Sequence, residues 1–390
     1  VMLDGQCPLA LAPEGQVSYR SATVPRLEPG TARMAFWLAK DLEKQNRPEK
    51  AVILPLTVLH EYRQKDAARL VDLIRKLEKQ CGIAVPQAEP SVFAGTRPAG
   101  NPGFAAAMRD RLVALEWRVI ALAEAHYHEI CGYLPPQGED TPVAAAPQSG
   151  ESGAGTPSAN RIHDDAARDY DRRMRQQRWD GLMEAALQTG ERMLGLAPHV
   201  SPSQDMPKQD EPSQATPPHD TPSQDMPSHS TNAREAILEA HVQRVYRIRR
   251  EGWDRIFPLQ PVDGFSPFEK SLRHRMAGEA WYAMRHMEFV DLVEYLDPEY
   301  LDAEGLPDGP SYNRLTETAL NLYDLVQRLS GGNFTNRINP FPKKAVILPG
   351  TPIDVSARLP AFRTDMRQAV ADTTRTLKQA YLETLSAYES

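Results

Sequence analysis

The chain has 390 residues, of which 41% are hydrophobic and 25% charged, so it is long enough for two or more ordinary domains. Its net charge of -7 argues against a general nucleic-acid-binding protein, which would carry a basic stripe. No stretch approaches the ~20 apolar residues of a membrane span, and no signal peptide is visible. The three cysteines, Cys7, Cys81 and Cys131, are widely spaced and predict reduced thiols in a cytosolic protein, neither a disulfide framework nor a metal site.

The first 85 residues alternate between apolar runs and helical periodicity. The predicted order is a buried strand over 8–12, a helix over 31–45, a buried strand over 51–59 and a helix over 66–80. Thr31 is placed to cap the first helix, and Pro55 should mark an end, edge or bulge of the second strand because proline lacks a ladder donor. This alternation predicts a parallel α/β sheet.

The middle of the chain has a different sequence pattern, with long amphipathic helices separated by low-complexity sequence. Helices are predicted over 104–133, 164–194, 232–256, 266–296 and 312–330. The intervening segments are a Pro/Gly/Ala-rich loop over 86–103, a flexible segment over 135–160 and a proline-rich segment over 201–231. We expect disorder in the last, because such polar sequence cannot bury enough surface to offset its ordering entropy.

The α/β texture returns near the end, where Lys344–Pro349 repeats Lys50–Pro55 word for word. A strand here, continued by Gly350–Val355 and a helix over 360–388, indicates that the chain leaves a sheet, builds a helical module and returns. The alternative is a duplicated domain, although the flanking sequences do not otherwise match.

The order of these features resembles a known family. Residues 12–18 read Ala-Pro-Glu-Gly-Gln-Val-Ser, similar to the third conserved block of the PlsC-like lysophosphatidic acid and glycerol-3-phosphate acyltransferases, with Gln16-Val17 in place of Thr-Arg. Residues 26–33 resemble the lead into that family's next helix, and 52–56 resemble its proline-bearing fourth block. Gly350–Ile353 looks like its Gly-x-Pro-Ile strand.

The resemblance implies a transferase that moves a fatty acyl group from acyl-CoA or acyl-carrier protein to a glycerol-phosphate or lysophospholipid hydroxyl. It implies substrate-binding roles for Pro13, Glu14, Gly15 and Pro55, with no bound cofactor and no metal. In that family a His-x-x-x-x-Asp pair supplies the base. That pair belongs upstream of Pro8, so we expect the chain, which starts at Val1, to be a partial gene product that is inactive alone.

Each of the assigned residues also has an ordinary structural interpretation. Glu14 is otherwise a turn residue, Gly15 can serve backbone conformation alone, and Pro55 can simply end a strand. Arg20 and Arg26 could reach a phosphate but more commonly such residues are solvated.

Three further patterns could each indicate a functional site, but each also has a simpler explanation. His286 and Asp291 match His-x-x-x-x-Asp by chance, because residues five apart on a helix point ~140° away from each other. His126 and His128 face different sides of a helix, which argues against a metal site. The aromatic residues between 253 and 282 suit an acyl groove, a bilayer interface or a plain helical core.

The predicted fold class is therefore an α/β acyltransferase-like sheet, partial because its N-terminal strands are missing, with a large and mostly α-helical insertion. The predicted segments are 1–85 and 339–390 for the acyltransferase domain, 86–134, 163–197 and 232–338 for helical parts, and 135–162 and 198–231 for linkers. The expected location is the cytoplasm, with peripheral contact at the cytoplasmic face of the membrane. The alternative function is a non-catalytic helical interaction protein that keeps a degenerate acyltransferase remnant.

Overall fold

A computed structural model describes most of the chain and divides it into two compact units. The described residues are 8–14, 20–21, 23–63, 67–84, 102–136, 157–197, 229–257, 264–302, 309–332 and 341–389. Unit 1 comprises residues 1–116, 295–326 and 333–390, and unit 2 comprises residues 117–294 and 327–332. Unit 1 is therefore assembled from three separate stretches of sequence.

The secondary structure is mostly helical. The helices are α1 (Gly30–Lys44), α2 (Ala67–Gln80), α3 (Pro102–Cys131), α4 (Pro157–Met193), α5 (His229–Ile256), α6 (Pro267–Glu294), α7 (Pro298–Asp302), α8 (Tyr312–Leu329), α9 (Leu359–Thr364) and α10 (Met366–Glu389). The strands are β1 (Val52–Ile53), β2 (Leu56–Tyr62), β3 (Lys343–Pro349) and β4 (Ile353–Asp354). The boundary between the units falls within α3 and α8.

The described residues of unit 1 form two small antiparallel sheets, each joining strands that are far apart in sequence. β1 pairs with β4, with Val52 opposite Asp354, and β2 pairs with β3, with Leu56 opposite Pro349. Pro55 lies in the break between β1 and β2, as expected for a residue without a ladder donor. The hexapeptide that occurs twice takes two structures, because its first copy includes this break and its second copy lies wholly in β3.

Helices α1, α9 and α10 enclose the apolar core next to these sheets. Helix α1 buries Ala32, Phe36 and Ala39, a helical spacing that forms one apolar stripe. The ring of Phe36 stacks on that of Phe362 in α9, with centroids 4.4 Å apart. The core therefore joins residues from the two ends of the chain.

Unit 2 is a helical body in which α6 packs against both α4 and α5. Its interior holds apolar side chains such as Trp179 and Met287, and it also buries charges in pairs. Arg244 in α5 binds Glu191 in α4 through two hydrogen bonds of 3.0 and 2.9 Å. Paired in this way, a buried charge avoids the large cost of losing its solvent.

Three local expectations are wrong for the described residues. Residues 8–12 form an exposed, irregular segment and no strand. The first helix begins at Gly30 after Pro29, without a side-chain cap, so Thr31 is not its cap. Both described strand pairs are antiparallel, where the sequence predicts parallel pairing. The prediction rests on strands joined by a single crossover helix, whereas these pairs join strands far apart in the chain, so that rule does not fix their direction.

Most predicted helices are present within a few residues of their expected bounds, while α7 was not predicted and the C-terminal helix is interrupted at Asp365. The unit boundaries differ from the predicted segments, because residues 102–116 and 295–326 belong to unit 1. Most of the predicted loop over 86–103 and of the linkers over 135–160 and 201–231 lies outside the described residues.

Candidate functional site

A cleft of about 540 Å³ opens in unit 1 beside strand β2. Four parts of the chain line it: the exposed segment before α1, the strands β2 and β3, helix α8 and helix α10. The polar and charged lining residues are Glu14, Arg20, Ser21, Thr23, Thr57, His60, Tyr62, Glu317, Lys343 and Tyr381. The apolar lining residues are Ala10, Leu11, Ala12, Pro13, Val24, Pro25, Leu56, Val58 and Leu385.

The pleat of β2 explains much of the apolar wall. Successive side chains of a strand point to opposite faces, so Leu56, Val58 and His60 share one face. Leu56 and Val58 are half exposed, whereas Leu59 on the other face is buried. This face of β2 therefore presents two aliphatic side chains to the cleft, followed by the imidazole of His60.

The loop that carries the charged wall is tied to α8 through a buried carboxylate. Glu317 is only 2% exposed. It accepts hydrogen bonds from the Ser21 hydroxyl at 2.6 Å and from the Ser21 amide at 3.2 Å, and it also accepts one from the Tyr300 hydroxyl. Because these donors satisfy the carboxylate, Glu317 fixes the position of the loop.

Strand β2 is held to α8 by a side-chain amide. The carbonyl oxygen of Asn313 accepts from the Tyr62 amide at 2.9 Å, and its amino group donates to the His60 carbonyl at 3.2 Å. The His60 amide in turn donates to the Ser21 hydroxyl at 3.3 Å. His60 is therefore held at a fixed place on the cleft wall.

The ionisable groups of the cleft influence one another. Burial, and then the Lys343 ammonium, lower the pKa of His60. Burial, and then the Glu14 carboxylate, raise the pKa of Tyr381, which stays a phenol at neutral pH. The cleft thus presents a neutral imidazole, a phenol that can donate and a carboxylate that can accept a hydrogen bond.

The structure places the predicted site residues in different positions. Pro13 and Glu14 line the cleft, and their turn is held by a hydrogen bond of 2.7 Å from the Glu28 amide to the Pro13 carbonyl. Gly15 lies outside the described residues. Pro55 is buried, and its carbonyl accepts a hydrogen bond of 2.9 Å from the Gly350 amide.

The two arginines of the loop have different surroundings. Arg20 lines the cleft and donates to Asp297 at 3.2 Å, with its guanidinium over the ring of Tyr300. Arg26 pairs with Glu28, outside the cleft lining.

The residues of unit 2 that match catalytic or metal-binding patterns in the sequence have separate surroundings in the structure. In α6, His286 contacts the Tyr127 hydroxyl through Nδ1 at 3.0 Å, whereas Asp291 pairs with Arg249. His126 and His128 are exposed on α3. Among the described residues, no group of three histidine, cysteine or acidic side chains is placed to hold a metal ion.

Sequence reasoning did not single out His60, Glu317, Lys343 or Tyr381. The one local signal was the carboxylate of Glu317 within the apolar pattern of α8, since a buried acid needs bound donors. The other three residues come from ordinary strand and helix patterns, and only the fold brings them to the cleft.

Among the described residues, none of the helices has both the length and the apolar character needed to cross a membrane. Comparisons of the chain with protein-family models, with curated proteins and with solved structures found no match.

Proposed function

We propose that the cleft of unit 1 binds the acyl acceptor, a glycerol phosphate or lysophospholipid, as part of an acyltransferase domain. The observation that carries this proposal is the position of Glu14. It belongs to the Pro-Glu-Gly segment that resembles the family's third block, and it stands on the wall of a cleft that combines aliphatic and charged side chains. An amphiphilic ligand needs both kinds of surface.

A second observation supports the same proposal. The segments that resemble the fourth block and the Gly-x-Pro-Ile strand are almost 300 residues apart in the chain, yet they are neighbours in the fold. Val52 pairs with Asp354, and the Gly350 amide binds the Pro55 carbonyl. A Cβ added at Gly350 would lie 3.1 Å from that of Pro55, so this junction requires glycine or a shift of its neighbours.

The proposed role of Glu14 is to accept a hydrogen bond from a hydroxyl of the acceptor. His60 and Lys343 then face the phosphate end, while Leu56, Val58 and Leu385 contact aliphatic carbon. The donor is acyl-CoA or acyl-carrier protein, and transfer itself requires the His-x-x-x-x-Asp pair that the resemblance implies.

Equilibrium binding of lysophosphatidic acid to the 390-residue chain tests the proposal. We expect saturable binding that Glu14→Gln weakens about tenfold, since a hydrogen bond to a charged acceptor contributes about 1.5–3 kcal/mol. Val58→Gln should also weaken it, because a polar amide would replace aliphatic wall.

Matched controls lie outside the cleft. Glu383→Gln removes an exposed carboxylate from α10, and Leu54→Gln changes a residue as exposed as Val58; both should leave the affinity unchanged. Absence of lysophosphatidic acid binding would contradict the proposal and favour the non-catalytic interaction protein. Acyl transfer from labelled acyl-CoA by this chain would show that it contains its own catalytic base.

A further inference from the structure

The N-terminal part of α6 extends beyond the end of α5, one of the two helices against which the rest of α6 packs. Helices α5 and α6 are antiparallel, because Gly252 meets Met284 and Ala280 while Arg249 pairs with Asp291 further along. From Gly252, α5 continues for only four residues, or ~6 Å, to Ile256. From Ala280, α6 runs back thirteen residues, or ~20 Å, to Pro267.

We name residues 267–277 the α6 arm. Its residues are exposed almost all round the helix, in contrast to the second half of α6, which buries Ala283, Met287 and Val290. Phe268, Leu272 and Met276 have 76%, 47% and 37% of their surface exposed. Because they recur every fourth residue, they form one apolar stripe along the arm.

Cations flank this stripe. At 100° per residue, Arg275 lies on one side of the stripe and Arg273 on the other, with Lys270 behind. Long basic side chains in such positions can lie over apolar surface and carry their charge outward. Arg273 already does so, with its guanidinium 5.4 Å from the centroid of the Phe265 ring.

One carboxylate partly offsets a flanking cation: Glu279, one turn beyond Arg275, accepts a hydrogen bond from its guanidinium at 3.0 Å in an exposed pair. The other acidic residue of the region does not face the cations. Glu269 turns back to the start of the helix, where its carboxylate accepts from the amide and hydroxyl of Ser266 at 2.8 and 2.7 Å. Within the arm, the charged residues Glu269, Lys270, Arg273 and Arg275 sum to +2, and the sum is +1 when Glu279 is included, in a chain whose net charge is -7.

We propose that the α6 arm binds the surface of a bilayer that contains anionic phospholipid, with Phe268, Leu272 and Met276 in the interface and the flanking cations at the headgroups. An exposed apolar stripe between basic side chains matches both layers of such a surface, acyl chain below and negative charge above. The acidic charge of the whole chain does not prevent this, since exposed charges more than about 8–10 Å away are screened at physiological ionic strength. The proposal is independent of the function assigned to the cleft.

Flotation of the full chain with vesicles tests this assignment. We expect binding to vesicles of phosphatidylcholine with 30% phosphatidylglycerol, much weaker binding to phosphatidylcholine alone, and loss of binding as salt rises. Phe268→Ser with Leu272→Ser should reduce partitioning at least tenfold. Replacing Lys270, Arg273 and Arg275 by glutamine should reduce it by about fivefold per cation.

The controls change matched residues outside the arm. Leu382→Ser removes an exposed leucine from α10, and glutamine at Lys40, Lys44 and Arg367 removes three exposed cations from α1 and α10. Both should bind like the parent chain, and circular dichroism should show all variants folded. Equal partitioning of the arm variants and the controls would overturn the proposal. So would a concentration-dependent dimer that Phe268→Ser abolishes in a chain that does not bind vesicles, because the stripe would then pair with a second copy.

Discussion

Two ionisable residues of α6, His286 and Asp291, have pKa values that are shifted in opposite directions. His286 contacts the Tyr127 hydroxyl, and burial, with the nearby charges of His126 and Arg328, lowers its pKa to about 4. Asp291 is paired with Arg249, yet burial outweighs the arginine and raises the pKa of its carboxyl to about 6. Each residue is thus held toward its neutral form.

The two groups should make opposite contributions to the pH dependence of stability. As pH falls from 6.5 to about 4, the unfolded chain protonates His286 before the folded chain does, so the free energy of unfolding decreases by about 3 kcal/mol. As pH falls from about 6 to 3.8, the folded chain protonates Asp291 first, so the free energy of unfolding increases by about 3 kcal/mol. The parent chain should therefore show little net slope from this pair.

Single variants should separate the two contributions. Relative to the parent, His286→Gln should become more stable as pH falls from 6 to 4, because only the Asp291 contribution remains. Asp291→Asn should become less stable over the same interval. Urea unfolding followed by circular dichroism between pH 4 and 7 measures both slopes; parallel curves for the three proteins would contradict the assignment.

At the scale of elements, close helix contact in unit 2 depends on glycine. A Cβ added at Gly252 in α5 would lie 2.8 Å from Cγ of Met284, whereas one added at Gly278 in α6 would meet nothing within 4 Å. Both positions are interior to helices, where alanine is intrinsically favoured over glycine by about 1 kcal/mol. The two sites therefore differ mainly in packing.

Alanine at the two positions should have opposite effects. Gly278→Ala should raise the melting temperature, with a gain of about 0.5–1 kcal/mol in the free energy of unfolding. Gly252→Ala should lower it, because overpacking in a tight contact costs about 1–3 kcal/mol. Thermal unfolding of both variants provides the comparison, and equal gains would show that α5 and α6 are not in close contact at Gly252.

The sequence predicts some elements well because their determinants are local. The apolar spacing of Ala32, Phe36 and Ala39 is enough to place α1, and Pro55 is enough to break the strand. The apolar run at 8–12 misleads, because composition does not reveal whether a neighbouring strand exists to receive its hydrogen bonds. In that position the run lines a cleft instead.

Within the candidate site, the sequence could predict only the residues in or near the contiguous Pro-Glu-Gly motif. Pro13, Glu14 and the nearby Arg20 stand out in the sequence and lie on the cleft. Lys343 and Tyr381 reach the same cleft from more than 300 residues away, through the pairing of β2 with β3 and the packing of α10. Such placement depends on tertiary contacts that no window of sequence contains.

At the scale of the molecule, the core of unit 1 depends on residues from both ends of the chain. Thirteen buried residues form this core: Leu27, Ala32, Phe36, Ala39, Leu42, Ala51, Ile353, Val355, Leu359, Phe362, Ala369, Val370 and Leu377. Seven of the thirteen lie after residue 350. Unit 2, by contrast, has all its residues between 117 and 332.

A chain ended at Gly332 should therefore lose unit 1 and keep unit 2. It lacks β3 and β4, the partners of β2 and β1, and seven core side chains. Six of the seven are large apolar side chains, and burial of each contributes about 1.5–3 kcal/mol, so the loss of about 9–18 kcal/mol is as large as the 5–15 kcal/mol by which a typical domain is stable. Hydrogen exchange measured by mass spectrometry should show α1 and β2 unprotected, while the second half of α6 exchanges as slowly as in the full chain. If α1 remained protected, or if α6 lost its protection as well, the two units would not be separate cooperative structures.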